Sequence, residues 1–373
     1  MATSRRNGTL PRMTRAAVLR DTAAPLSVED VVLAPTGPDQ VRVRLRATGV
    51  CHSDLSIVRG GLRHPLPAVP GHEGAGVVTE VGANVTSVAP GDHVTLNWTP
   101  SCGACYFCSR GEPYLCDRAV ADSLAVPYAA LPTGEALAPV LGSGAFAEET
   151  LVLERAVVKI PEDVPFEVAA LVGCAVTTGF GAVHNTARVR PGDTVVVVGC
   201  GGVGLSIVQG ARYAGASPIV AVDLSDEKLA LAKDLGATDT VDGTEDVEAA
   251  VRALTQGRGA DHAFEAIGRG ATIRTAYRLT RRGGNTVVVG AGRHDDKVEF
   301  SALELFFQGR AILGCVYGGA DVARDFPRIL GLYASGDLDL DRLITDRIRL
   351  DDVNDALAAM EVGRGARSVI LFD

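Results

Sequence analysis

Four cysteines, Cys102, Cys105, Cys108 and Cys116, fall within fifteen residues of a chain that holds eight. Their spacing is Cys-x₂-Cys-x₂-Cys-x₇-Cys. The short gaps turn successive thiolates back on one centre, and the longer gap lets the fourth close a tetrahedron around Zn²⁺. Four sulfur ligands leave no open position, so such a site holds a loop and cannot activate a substrate. The competing reading is a pair of disulfides in a secreted protein. The opening MATSRRNGTLPRMTR is polar and basic and lacks a hydrophobic leader, which favours metal-bound thiolates in a reducing cytoplasm. Three more residues of ligand type, Cys51, His72 and Cys174, lie far apart in sequence. Two thiolates and an imidazole would leave a fourth position open for chemistry.

A second pattern lies mid-chain. Thr194–Val198 is a β-branched run suited to a strand buried on both faces. Gly199-Cys200-Gly201-Gly202-Val203-Gly204 follows, then a helical pattern, a strand at 219–222, and Asp223 at its end. Strand, glycines, helix, strand and acid in that order form a dinucleotide-binding signature. Gly199 permits the tight turn, Gly201 admits a pyrophosphate, and Gly204 lets helix pack on strand. Gly202 and Val203 lie where the helix begins, and its free amides would hold the phosphates. Asp223 would bond the ribose hydroxyls and repel a 2′-phosphate, which favours NAD over NADP. Lys228 fits either a ribose contact or a solvated helix face.

The elements that must position these groups follow from the rest of the chain. At about 100–200 residues per domain, 373 residues suggest two. Extended runs recur at 238–241, 261–267, 285–290 and 311–317, separated by amphipathic stretches near 226–235, 246–256, 270–281 and 302–309. With the first two strands these make the six of a full Rossmann sheet over 176–318. Residues 1–175 read as mostly β, with the four-cysteine lobe at 97–117. Residues 319–373 rejoin that domain through a final strand at 367–372. The fold class is α/β, a nucleotide domain inserted into a mostly β domain with a cleft between them. A hydrophobic content of 47% and a mean hydropathy of +0.18 supply ample core. The net charge of −9, without a basic stripe, argues against a nucleic-acid partner. No run is expected to reach the roughly 18 apolar residues that span a bilayer, so the expectation is a cytoplasmic protein with no membrane partner.

GVCHSD at 49–54, GHEGAGVV at 71–78, the four-cysteine lobe, GCAVTTG at 173–179 and VGCGGVG at 198–204 now stand together. In type and order they resemble the zinc-dependent medium-chain alcohol dehydrogenases, over nearly the whole chain from about Thr14 to Asp373. Within that family the chain looks most like the bacterial branch near nicotinoprotein alcohol dehydrogenases and thiol-dependent formaldehyde dehydrogenases. The resemblance implies a GroES-like catalytic domain, two Zn²⁺ per chain with the catalytic one on Cys51, His72 and Cys174, and NAD. The implied reaction oxidises a small primary or aryl alcohol to its aldehyde. Glu73 would be a transient ligand, and Asp54 would orient the ligand imidazole. Ser53 would pass the alcohol proton towards the nicotinamide ribose; Ser56 stands where many relatives carry a relay histidine. His52 matches a cofactor-phosphate contact, with a plain surface histidine as the equal alternative. Arg367 matches a pyrophosphate arginine, Thr178 a neighbour of the nicotinamide, and Trp98 and Val140 the substrate pocket. Relatives pair through the edge strand at 311–317, so a homodimer is expected, with a homotetramer as in some bacterial relatives. Three other readings stay open: a thiol-dependent formaldehyde dehydrogenase, a nicotinoprotein that never releases NAD, and a non-catalytic zinc/NAD redox sensor.

Overall fold

The computed structural model describes residues 12–373; most of the basic opening segment, residues 1–11, lies outside them. Four consecutive valines, none more than 5% exposed, form strand β1 (Val195–Val198). Such a run can be wetted on neither face, so it sits at the centre of a parallel sheet. The other strands of that sheet are β2 (Ile219–Asp223), β3 (Asp239–Asp242), β4 (Ala260–Glu265), β5 (Thr280–Val288) and β6 (Ala311–Gly314). Their order is β3-β2-β1-β4-β5-β6, with every neighbouring pair parallel. Helices α1 (Gly202–Tyr213), α2 (Asp226–Asp234), α3 (Val247–Leu254), α4 (Gly270–Leu279) and α5 (Ala302–Gln308) make the connections. The strand order reverses between β1 and β4, and the crevice at their carboxyl ends is where such sheets take ligands.

The remaining chain is mostly strand. A seven-stranded sheet is centred on Gln40–Gly49, which pairs antiparallel with Glu73–Val81, with Glu149–Leu153 and with the C-terminal strand Ser368–Leu371. The chain therefore returns to its first sheet after the nucleotide-type fold. A second sheet of five strands contains Met13–Val18 and Ser27–Leu33.

Three expectations need correction. A helical stretch over 166–187 is long and apolar enough to cross a membrane, against the expectation that no such run exists. Its most apolar window is 89% buried inside the protein, so that apolarity serves the core. Phe166–Leu171 packs on the first sheet and Thr177–Gly181 on α1, which makes this stretch the spine joining the two halves. The edge strand β6 stops at Gly314, not at Tyr317. Cys315 N–H still bonds Val288 O at 2.9 Å. Tyr317, Gly318 and Gly319 then take left-handed φ of +51°, +68° and +59°, and the chain turns back onto Thr177–Gly181. The third correction, Val140, concerns the site.

Candidate active site

Backbone pairing brings the separated ligand-type residues together. Gly49 pairs with Glu73 across two antiparallel strands. Cys51, two residues beyond Gly49, and His72, one before Glu73, therefore meet at one end of the sheet. A side chain at Gly49 would start 2.1 Å from Glu73 Oε2, so only glycine leaves room for that carboxylate. Cys174 arrives from the spine, within a π-helical turn at Val172–Val176. Thr177 Oγ1 steadies that turn by donating to Val172 O, five residues back, at 2.7 Å. Such turns recur at functional sites because they re-aim a side chain. The ligand atoms of Cys51, His72, Glu73 and Cys174 all lie within 4.8 Å of one another, and all four residues are buried.

Asp54 organises the cluster. Its Oδ1 accepts from His72 Nδ1 and from Gly71 N–H, both at 3.0 Å, and its Oδ2 accepts from Cys51 N–H at 3.1 Å. Placing the proton on Nδ1 leaves the Nε2 lone pair free, and Nε2 is buried without a partner. A buried orphan acceptor between two thiols is what a soft divalent metal satisfies, so Cys51, His72 and Cys174 fit Zn²⁺. Burial disfavours a charged His72, but the Asp54 carboxylate outweighs it and raises its pKa well above the ordinary value, so a metal ion binds Nε2 by displacing the proton that this atom otherwise takes up. A hydrogen bond from Cys174 holds the Cys51 thiol well below its usual range and pushes Cys174 up. Burial drives the Glu73 carboxyl up to about 8, against the pull of Arg367 at 3.5 Å.

The second cluster is half-exposed: Cys102, Cys105, Cys108 and Cys116 place their sulfurs within 4.8 Å of one another. All eight cysteines are free, so the disulfide reading does not describe this fold. Cys102 N–H points at Cys116 Sγ and Cys105 N–H at Cys102 Sγ, each at 3.3 Å. Backbone amides, Ala104 first, bring the Cys102 thiol down to about 6. Four convergent thiols with amide donors fit a closed, structural Zn²⁺ site.

The glycine motif opens α1 at the crevice. Gly199 has a φ of +96°, and a Cβ at Gly204 would lie 1.8 Å from Gly199 O. A Cβ on Gly201 would meet nothing within 4 Å, so the space beside the backbone there, a cradle, is open. The cradle thus fits a pyrophosphate lying against the backbone. The Asp223 carboxylate is fixed by N–H groups of Cys200 at 2.7 Å, Leu224 at 2.8 Å and Ser225 at 3.1 Å. Gly202 and Val203 form the first turn of α1, with Gly202 against Arg367: a Cβ there would stand 2.7 Å from Nε and Nη2. Arg367 Nη1 also donates to Val50 O at 2.9 Å, beside Cys51. One guanidinium thus spans the distance from the metal cluster to the cradle. His52 stands exposed at the start of the helix that follows Cys51. Partial loss of hydration beside the protein, with Arg367, Lys228 and Arg269 within electrostatic reach, lowers its pKa against the opposing pull of the Cys51 thiolate.

Arg269 escaped the sequence reading. Its signal was Gly268-Arg269-Gly270 directly after β4, opposite the glycine motif across the switch point. Glu265 Oε1 shapes that loop by accepting from Ile267 N–H at 3.0 Å and Gly268 N–H at 2.8 Å. Ser53 is half-buried on the helix that starts after Cys51, and Thr178 is buried four residues beyond Cys174. Trp98 stands edge-on to His72 at 6.4 Å and tilts against Tyr317 at 4.7 Å between ring centres. Val140, expected in the substrate pocket, is 0% exposed and belongs to the apolar cluster of Val50, Leu55 and Phe146. It offers no surface to a substrate here.

Residues 37–162 match the family description "Alcohol dehydrogenase GroES-like domain", and residues 202–335 match "Zinc-binding dehydrogenase". An S-(hydroxymethyl)glutathione dehydrogenase of Synechocystis sp. is 38% identical over 368 residues, covering 96% of this chain and 99% of the relative. The crystal structure of benzyl alcohol dehydrogenase from Acinetobacter calcoaceticus matches with a TM-score of 0.90 at 32% identity, over 97% of this chain and 100% of that one. A putative zinc-binding dehydrogenase from Sinorhizobium meliloti 1021, bound to NADP, gives 0.82 at 28% identity, over 97% and 100%. With an open cysteine–histidine cluster, a closed four-cysteine lobe and a glycine cradle on one frame, the chain belongs to the zinc-dependent medium-chain alcohol dehydrogenases and is an oxidoreductase.

Proposed function

We propose that this enzyme oxidises primary or aryl alcohols to aldehydes with NAD as hydride acceptor: alcohol and NAD⁺ give aldehyde, NADH and one proton. The observation that carries the reading is the Arg367 bridge, which holds the open metal cluster beside the dinucleotide cradle. Zinc on Cys51, His72 and Cys174 would supply Lewis acidity that lowers the pKa of an alcohol hydroxyl. NAD in the cradle would supply the hydride acceptor. Asp54 keeps the proton on Nδ1 of His72 and so keeps Nε2 available as a ligand atom. Ser53 Oγ would receive the alcohol proton; with serine at position 56 in place of a relay histidine, either water or another group carries the proton onward. The fixed carboxylate of Asp223 supports NAD, because its charge opposes a 2′-phosphate.

A thiol-adduct substrate is the second reading, supported by the name of the Synechocystis relative. The resemblance implies that relatives of that type carry basic residues just after the structural lobe. Here Arg118 is engaged with Asp122 at 3.2 Å, and Val120 beside it is 42% exposed and apolar. That favours the simple alcohol. We also propose a homodimer joined through β6, because Ile312 on that edge strand and Val316 just past it are exposed by 41% and 46%, and Leu303 and Phe306 on the preceding helix α5 by 66% and 79%.

The test is a panel of benzyl alcohol, ethanol and formaldehyde, with and without glutathione, against NAD and NADP. The reading expects NAD reduction by benzyl alcohol without thiol, lost in Cys174→Ala together with about one zinc per chain. Turnover of formaldehyde only when glutathione is present would replace it with the second reading. Near-stoichiometric NAD(H) in dialysed, denatured protein would make the enzyme a nicotinoprotein.

A further inference from the structure

We infer that Tyr317 is a positioning residue that sets the enzyme's preference for flat, aromatic alcohols, an inference that rests on the alcohol reading above. Tyr317 is 2% exposed and adopts a left-handed backbone, a costly conformation for a bulky side chain. The surroundings enforce it. A Cβ on Gly318 would lie 2.4 Å from Thr177 O and 2.8 Å from Thr178 O, and one on Gly181 would lie 2.4 Å from Gly318 O. Two glycines thus clasp backbone to backbone, and Asn185 Nδ2 adds a bond to Gly318 O at 3.2 Å. The clasp fixes the end of the nucleotide-type sheet to the helix that carries Cys174 and Thr178.

Within this clasp the side chain has two contacts that reach the site. Tyr317 Oη donates to Gly173 O at 2.5 Å, one residue from Cys174 in the π-helical turn. Its ring lies 4.7 Å from that of Trp98 at 51°, and Trp98 in turn stands edge-on to His72. Tyr317 is too buried to touch a substrate, so it acts through Trp98. It backs the indole on one side and anchors the ligand turn on the other. A large indole held rigid beside the ligand histidine presents a planar wall, which stacks on an aryl ring and gains little from ethyl or methyl groups.

Trp98 is the sole tryptophan, so its fluorescence reports this packing without any turnover. The experiment uses zinc-loaded wild type, Tyr317→Phe and Tyr317→Ala. It measures zinc content, acrylamide quenching of the indole, and kcat/KM for benzyl alcohol and ethanol. In Tyr317→Phe, which deletes one hydroxyl, the benzyl-to-ethanol ratio of kcat/KM falls about fivefold, the size of one hydrogen bond. In Tyr317→Ala it falls further, the indole quenches more readily than in wild type once its aromatic neighbour is gone, and both proteins keep the wild-type zinc content. A purely structural role would lower both substrates together. A ratio and a quenching constant unchanged in both variants overturn the inference, as does zinc loss that accounts for the lost rate. Wild type inactive on every alcohol defeats the functional reading instead, and the quenching then still decides whether Tyr317 fixes Trp98.

Discussion

Replacing Asp54 by asparagine should weaken zinc at the open cluster while leaving the four-cysteine lobe untouched. The carboxylate is 0% exposed and accepts three hydrogen bonds, from His72 Nδ1 and the backbone N–H groups of Gly71 and Cys51. Asparagine has the same shape but only one acceptor oxygen. With that oxygen towards His72 and Gly71, its NH₂ faces the Cys51 N–H across 3.1 Å, donor against donor. Flipped, it strands two donors instead of one. Each buried donor left without an acceptor costs about 1–3 kcal/mol. The surviving bond to His72 also loses its charge assistance, which roughly halves its strength. A supporting carboxylate behind a ligand histidine is worth about 10–100-fold in metal affinity, and the one-donor geometry points to that range. Competition with a chromophoric zinc chelator separates the two sites as two phases. Only the phase belonging to Cys51, His72 and Cys174 should weaken in Asp54→Asn. An unchanged affinity in both phases would refute the idea that Asp54 holds the His72 tautomer.

Other consequences follow from the same geometry. Asp223→Gly removes the charge opposing a 2′-phosphate and should shift the NADP-to-NAD ratio of kcat/KM upward by about tenfold or more, since like charges in contact cost several kcal/mol. It should also weaken NAD itself, because three backbone amides lose their anchor. Gly202→Ala places a methyl 2.7 Å from Arg367 Nε and Nη2 and must displace that side chain. The expected result is an NAD KM raised about tenfold, the worth of one hydrogen bond to a charged group, with zinc content unchanged. Along β6 the amide of Cys315 points at β5, so alternation turns the amide of Ile312 to the open edge. Ile312→Pro should therefore keep the sheet and lower the light-scattering mass from twice 38.7 kDa towards 38.7 kDa, while a wild type already at the lower mass would remove the dimer.

The parts of the site that the sequence made legible are those whose chemistry is carried by residue type and short spacing. The four-cysteine lobe, the glycines after a valine run and Asp223 at the next strand end need no knowledge of distant contacts. Cys51, His72 and Cys174 were grouped by ligand type and made a catalytic set by the resemblance; the Gly49–Glu73 pairing explains why Cys51 and His72 meet, and the π-helical turn at Val172–Val176 brings Cys174 to them. What stayed hidden depends on contacts between distant segments. Ile-Leu-Gly-Cys-Val-Tyr reads as a strand up to Tyr317, but the chain turns early because Gly318 seats on Gly181. The spine over 166–187 mixes Gly, Thr and Cys into its apolar run, so no unbroken hydrophobic stretch announces it. Val140 is apolar enough for either a pocket or a core, and packing against Phe146 decides for the core. Arg269 is one arginine among many until the strand order places its loop across from the glycine motif.

The central claim is that an alcohol held at the open cluster gives its hydride to the nicotinamide in the neighbouring cradle. Its most direct test is isotopic: benzyl alcohol carrying two deuteriums on the reacting carbon is incubated with the zinc-loaded enzyme and NAD, and the reduced cofactor is examined by mass spectrometry. The account predicts one deuterium on each NADH formed, matched by monodeuterated benzaldehyde. No cofactor reduction, or NADH that carries only solvent hydrogen, would contradict it.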